Sequence, residues 1–310
     1  MIFWRRLRRR NQQYFRPVIL VTGAGSGIGL ALTKLLHPMS QYRVIATVRE
    51  SSLVRMHAMF PARDGFDIQA LDIRDTPGID QLIAMVDQKY GGVNILINNA
   101  GISFRAVAEH MTDEDEVLQM STNYFAAMAL IRRVLPAMRK VGRGKIINVS
   151  SVSGMLAMPT MSSYSASKHA LEGASEALWY EVKPFGIDVC LIQPGFINSS
   201  SFKNVYYTQD SHPDQSLQSE YQNYYRNMIP FVEKLMRKSF STPEKIAGVI
   251  LKAIQTENPP LWIPATFDAI FFYYVRRLVP RRFLLPLLFR LLPNAKTWAK
   301  DFSNKRTPRP

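Results

Sequence analysis

Short runs rich in Val, Ile and Leu recur along the chain at Val18–Thr22, Arg43–Val48, Asp67–Ile73, Val93–Asn98, Lys145–Ser150, Ile187–Gln193 and Leu261–Pro264. They are continuous rather than alternating, which suits strands buried on both faces of a parallel sheet. The spacers leave room for helices, read at Gly29–Leu36, Ile79–Lys89, Asp113–Lys140 and Ser163–Lys183. Strand and helix in alternation predict an α/β fold: a doubly wound, mostly parallel sheet of about seven strands with helices on both faces. Ligands of such sheets bind at the carboxyl ends of the strands. Two stretches fall outside the alternation. Phe196–Phe240 is long and aromatic, carrying Phe202, Tyr206, Tyr207, Tyr221, Tyr224, Tyr225, Met228, Phe231 and Met236, and reads as a lid over a binding site. Phe267–Leu292 is apolar but interrupted by Arg276, Arg277, Arg281, Arg282 and Arg290.

Composition adds a core and removes some chemistries. With 310 residues, 47% of them apolar, the chain can build one large domain. Cys190 is the sole cysteine and stands in an apolar run, so a disulfide framework and a cysteine metal cluster are both excluded and a buried structural thiol is expected. The formal net charge of +15 resides in the ends: residues 1–17 hold six Arg and no acid, and residues 271–310 hold ten Lys/Arg and one acid. The body between them is neutral, which argues for electrostatic docking by the termini and against nucleic-acid binding. The expected organisation is a basic extension over 1–16, one catalytic domain over 17–265 with a substrate lid at 196–240, and an apolar, basic extension over 266–310.

Three motifs carry chemistry. The first strand runs into Thr22-Gly23-Ala24-Gly25-Ser26-Gly27-Ile28-Gly29 and then a helix. Glycines let the backbone approach a pyrophosphate while the helix N-terminus offers amide donors. Ile28 occupies the place of the strict dinucleotide fingerprint's third glycine, and a tight structural turn is the rival reading. The second strand ends in Thr47-Val48-Arg49, followed by Glu50. A base there favours a ribose 2′-phosphate and therefore NADP(H), with NAD(H) as the alternative if Glu50 meets the ribose. Third, Tyr164 and Lys168 lie four apart on a predicted helix, with Ser151 thirteen residues upstream. Residues so spaced share a helix face, so the Lys168 ammonium would favour ionisation of the Tyr164 phenol.

These ordered motifs resemble those of the short-chain dehydrogenase/reductase family, in particular its hydroxysteroid- and retinol-dehydrogenase-like members, over roughly residues 17–265. The resemblance implies a Rossmann-type sheet and assigns Asn123, Ser151, Tyr164 and Lys168 to a catalytic tetrad. It implies cofactor contacts from Gly23, Ser26, Gly27, Ile28, Gly29, Arg49, Asp72, Ile73, Asn99, Ala100 and Gly101, from Tyr164 and Lys168, and from Pro194, Gly195, Ile197 and Ser199. Ser199 stands where the family usually has Thr, which keeps a hydroxyl. Each position has a bland rival: Asp72 could begin a turn, Asn123 could cap or bend a helix, and Ser150 could be the exposed hydroxyl in place of Ser151. In the implied mechanism Ser151 hydrogen-bonds the reacting oxygen, Tyr164 passes the proton, Lys168 lowers the Tyr164 pKa and binds the nicotinamide ribose, and Asn123 holds a water.

Met155, Leu156, Met158 and Met161, with Ile102, Phe104 and the aromatic lid, cluster after strand ends and point to a hydrophobic substrate such as a steroid, retinoid or long-chain acyl derivative. The competing readings are a 3-oxoacyl thioester reductase and a non-catalytic nucleotide-sensing scaffold, the latter having no need of the whole tetrad. No signal-peptide core follows the five Arg of Arg5–Arg10, so secretion is not expected. Phe267–Leu292 falls short of a spanning helix, and Pro280 and Pro286 are expected to break it. Apolar faces with interleaved Arg instead suit peripheral or monotopic association with anionic lipid on the cytoplasmic side, the rival reading being a segment packed on the sheet or on a second subunit with Arg290 and its neighbours in solvent. A homodimer or homotetramer through the helices around Asp113–Lys140 and Ser163–Lys183 is the family-implied assembly.

Overall fold

Both sides of the sheet are covered, which is why its strands read as unbroken apolar runs. In a computed structural model of the chain, described over residues 15–199, 205–212 and 219–299, seven strands form one sheet. They are β1 Val18–Val21, β2 Arg43–Val48, β3 Phe66–Ala70, β4 Ile95–Asn98, β5 Gly144–Val149, β6 Ile187–Gln193 and β7 Trp262–Pro264. The order is β3-β2-β1-β4-β5-β6-β7 and every neighbouring pair is parallel. Alternate residues serve opposite layers. Ile19 and Val21 join the core made with α1 (Gly27–Leu36), α2 (Leu53–Met59) and α8 (Pro243–Gln255), whereas Val18 and Leu20 face α3 (Thr76–Tyr90), α5 (Ala126–Val141) and α6 (Ser162–Val182). Cys190 is fully buried in β6, and burial pushes its thiol up to about 12, as befits a structural residue.

Several boundaries differ from the sequence reading for identifiable reasons. The third strand ends at Ala70, so Asp72 and Ile73 lie on the turn beyond it. Helix α3 begins at Thr76, ahead of the expected Ile79, because Pro77 sits in the first turn, where its missing N–H costs no hydrogen bond. The long helix expected over 113–140 is two helices, α4 (Asp113–Met120) and α5, joined by a π-helical turn at Ser121–Phe125. Thr112 caps α4 by accepting from the Asp115 amide at 3.1 Å, and four acidic residues fill its first turn, complementing the helix dipole.

The segment after β6 contains α7 (Gln222–Lys238), and Phe202 lies outside the described residues. The C-terminal stretch folds as α9 (Phe267–Leu278) and α10 (Arg281–Leu291), which Pro280 separates, while Pro286 is taken into α10. These helices pack on the domain. Leu284 is buried against Val152, Met155 and Leu156, just after β5, and Trp298 is buried beneath Met228 and Val232 of α7. Met155 and Leu156, expected to line a substrate pocket, are thus spent on holding α10. The basic segment over 1–14 lies outside the described residues.

Candidate active site

The strand order reverses between β1 and β4, and the loops leaving these two strands clasp each other. Thr22 Oγ1 accepts from the amides of Asn99 (3.0 Å) and Ala100 (3.1 Å). Asn99 Nδ2 returns bonds to the carbonyls of Thr22 (3.0 Å) and Gly23 (3.2 Å). The clasp demands glycine twice: Gly23 has φ +64 and a Cβ there would lie 2.8 Å from Ala100 Cα, and a Cβ on Gly29 would strike the Gly23 carbonyl and the Asn99 amide. Gly29 therefore packs the helix onto the turn, while Gly23, Ser26, Gly27 and Ile28 line the open side.

That open side is one end of a cavity of about 1000 Å³ running along the carboxyl edge of the sheet. Arg49 lines it at the end of β2, and Ser52, Arg55 and Arg74 line it too. Arg55 donates to the Gly25 carbonyl at 2.6 Å, bracing the glycine turn. Sequence reading missed these three. Ser52 and Arg55 sit on the loop and helix after β2, where no motif spacing marks them, though the local density of Arg was a usable signal. Asp72 satisfies both of its readings. It starts a turn, accepting from the Arg74 amide at 3.0 Å, and it lines the cavity. Its carboxylate is held by Arg74 at 2.6 Å, which with burial opposing keeps it below the usual carboxylate range.

Asn99, Ala100 and Gly101 form the middle wall, and Pro194, Gly195, Ile197 and Ser199 the wall opposite. The Gly195 amide donates to Thr266 Oγ1 at 2.9 Å and the Phe196 amide to Asp268 at 2.9 Å, tying this wall to the start of α9. A glycine cradle, a helix N-terminus and a guanidinium cluster at the far end fit a dinucleotide laid along the groove.

At the other end Ser151, Tyr164 and Lys168 come together. Ser151 is partly exposed to the cavity and hydrogen-bonds Tyr164, whereas Ser150 is buried and donates to Glu172 at 2.7 Å. The Lys168 ammonium is buried, donates to the Val149 carbonyl at 2.9 Å and lies 5.9 Å from the Tyr164 ring centroid. Burial raises the Tyr164 pKa, opposed by Ser151 and by the charge of Arg105. That is opposite to the expected depression, because loss of solvent outweighs the neighbouring donors and charge. Burial also lowers the Lys168 pKa to about 8, opposed by Glu172 one turn further along α6. Asn123 does not line the cavity. It sits in the π turn, where its Oδ1 accepts from the Ile102 amide (2.9 Å) and its Nδ2 donates to the Ile102 carbonyl (3.0 Å) and to Ser167 (3.0 Å). It thereby fixes the wall beside Gly101, a task for which a π turn at a functional site is a recurrent device.

Residues 17–210 match the family model described as short chain dehydrogenase. The chain belongs to the short-chain dehydrogenase/reductase family. A 3-ketodihydrosphingosine reductase from Bacteroides thetaiotaomicron is 34% identical over 247 residues, covering 78% of this chain and 85% of that protein. A dehydrogenase/reductase SDR family protein 7-like from Drosophila melanogaster is 31% identical over 284 residues, covering 89% and 82%. The crystal structure of a short-chain dehydrogenase from Streptomyces avermitilis superposes with a TM-score of 0.72 at 30% identity, covering 94% of this chain and all of that one. This short-chain dehydrogenase/reductase is accordingly an NAD(P)-dependent oxidoreductase.

The buried ammonium sets a pH dependence. Lys168 is charged below about 8 and neutral above it, so the rate of carbonyl reduction is expected to fall as pH rises through that value. Glu172→Gln, which removes a carboxylate favouring the charged form, should move the fall to lower pH. Initial-rate profiles of both proteins at saturating substrate check this; a flat profile, or an inflection unmoved by Glu172→Gln, would contradict it.

Proposed function

We propose that the protein is an NADP(H)-dependent oxidoreductase interconverting a hydroxyl and a carbonyl on a lipid-like molecule. The observation that carries this reading is the Tyr164 hydroxyl, hydrogen-bonded to Ser151, on the wall of a cavity that continues past the glycine turn. Arg49 lines that cavity while Glu50 does not, which favours the 2′-phosphorylated cofactor. Beyond Tyr164 the lining turns apolar: Ile102, Met158, Met161, Val205, Val232 and Met236. Kinship with a reductase named for a long-chain keto-lipid supports a hydrophobic substrate.

The nicotinamide supplies a hydride in reduction and takes one in oxidation. The protein's part is to hold the reacting oxygen and manage one proton. Ser151 Oγ donates a hydrogen bond to that oxygen, and Tyr164 Oη gives up its proton to it as negative charge develops. The raised Tyr164 pKa keeps the phenol protonated and ready to donate, while Lys168 and Arg105 offer positive charge to the phenolate left behind. Asn123 pins the Ile102 backbone beside Gly101. Replacing Tyr164 by Phe should cut turnover of a long-chain ketone about 10²–10⁴-fold, the usual worth of a positioned acid. Cofactor affinity, read by fluorescence titration, should stay within a factor of two or so, since the change removes only a hydroxyl. Undiminished turnover would overturn the assignment.

A second observation favours a lipid surface as partner. The outer faces of α9 and α10 expose Phe271, Tyr274, Leu278, Phe283, Leu285, Leu287 and Leu291, with exposed Arg277, Arg281, Arg282 and Arg290 between them. A patch of this kind on a chain whose inner face is already packed suits shallow insertion into an anionic interface. No helix among the described residues is long and apolar enough to cross a membrane. The protein should co-sediment with vesicles containing phosphatidylserine, and Phe271→Asp with Leu278→Asp should release it. Equal recovery of native and doubly substituted protein with the vesicles would count against this face.

A further inference from the structure

Among the described residues lining the catalytic cavity, one buried guanidinium finds no hydrogen-bond acceptor for two of its nitrogens. Arg105 lines the same cavity as Ser151 and Tyr164, and its Nε and Nη1 atoms are buried without a hydrogen-bond acceptor. Its direction follows from its backbone. Phe104 bridges Tyr206 and Ala106 bridges Met161, and the Arg105 amide donates to the Tyr206 carbonyl at 2.9 Å. Phe104 and Ala106 are buried, at 3% and 2% exposure, so alternation along this extended stretch turns Arg105 away from the core and toward Tyr164. The ionisable groups that act on it are the phenols of Tyr164 and Tyr207, both with raised pKa and hence uncharged at neutral pH. Burial without a counter-charge pulls the guanidinium below its ordinary value.

Two other arginines find a carboxylate. Arg74 meets Asp72, and Arg133 meets Asp80. Lys168 is a point charge with one of its three donors on the Val149 carbonyl, and it lacks the planar fork of Arg105. A rigid guanidinium fork held open in a largely apolar cavity matches the paired oxygens of a carboxylate or a phosphate monoester.

We infer that Arg105 binds an oxyanion carried by the substrate within a few bonds of the carbon that exchanges hydride. This rests on the reading of Ser151 and Tyr164 as the reacting pole. The substrate is then an amphiphile, with its charged group and carbonyl at the Arg105–Tyr164 end and its apolar chain along Met158, Val232 and Met236. An uncharged steroid or retinoid leaves the guanidinium desolvated and unpaired, so the site discriminates against it.

The test measures binding of dodecanoate, dodecyl phosphate and dodecan-1-ol to the protein saturated with NADP+, in the native chain, Arg105→Gln and Arg105→Lys. At least one anion should bind roughly 10–100-fold more tightly than the alcohol to the native protein, the worth of a charge-assisted bond. The tighter of the two anions identifies the group. Arg105→Gln should abolish the preference, by weakening anion binding, while leaving NADP+ affinity unchanged, and Arg105→Lys, which keeps charge but loses the fork, should fall between. Equal affinity for all three ligands in the native protein, or a preference that survives Arg105→Gln, overturns the proposal; the first of these needs no variant to fold. Turnover separates the two readings. Anion preference without reduction of any long-chain ketone would sink the reductase assignment and leave the anion site standing, whereas reduction without anion preference would do the reverse.

Discussion

Everything at the carboxyl edge of the sheet depends on how closely β1 and β4 bring their exit loops together. Parallel strands in adjacent register deliver Thr22 and Asn99 side by side, and four hydrogen bonds between those loops exchange the donors and acceptors that the strand ends would otherwise leave unmet. The clasp leaves no space for a Cβ at Gly23 or Gly29. From it one arm of the cavity runs toward the arginines after β2 and the other toward Ser151, Tyr164 and Lys168. Because the sheet order reverses at this point, helices diverge to opposite faces and the groove stays open.

The catalytic end works by denying solvent to charges. Lys168 lines the cavity with the Val149 carbonyl as its hydrogen-bond partner, and burial brings its pKa to about 8. The same burial raises Tyr164, so the phenol holds its proton to higher pH than the ammonium does, the reverse of their ordinary order. A phenol that keeps its proton beside cations that welcome its loss is suited to giving a proton up only when charge appears on the substrate. The C-terminal helices take part in this enclosure: Thr266 and Asp268 hold the amides of Gly195 and Phe196, and Leu284 covers the loop that follows Ser151.

The sheet was legible because burial on both faces leaves a period-free apolar run, and six of the seven runs found their strands to within about two residues. The exception, Asp67–Ile73, ran past Ala70 because Leu71 and Ile73 are apolar for the sake of the turn and α3, not the ladder. The glycine turn, the Asn-Asn-Ala-Gly loop and the Tyr164–Lys168 pair were legible because each has a fixed local spacing. What escaped was set by contacts between distant segments. No spacing announces that Arg105 loses its counter-charge, that Met155 and Leu156 face α10, or that Asn123 sits in a π turn and clamps Ile102 twenty-one residues back. The Arg-interrupted apolar tail read as an interfacial anchor, with packing on the sheet as the rival, and its inner face does pack on the domain.

Hydride transfer to a lipid carbonyl is the claim on which the rest converges, and isotope transfer tests it most directly. Incubation of the protein with NADPH dideuterated at the nicotinamide C4 and a long-chain ketone should place one deuterium on the carbinol carbon of the alcohol formed, in step with cofactor oxidation. Cofactor oxidation without deuterium on that carbon, or alcohol formed with hydrogen from solvent there, would contradict the account.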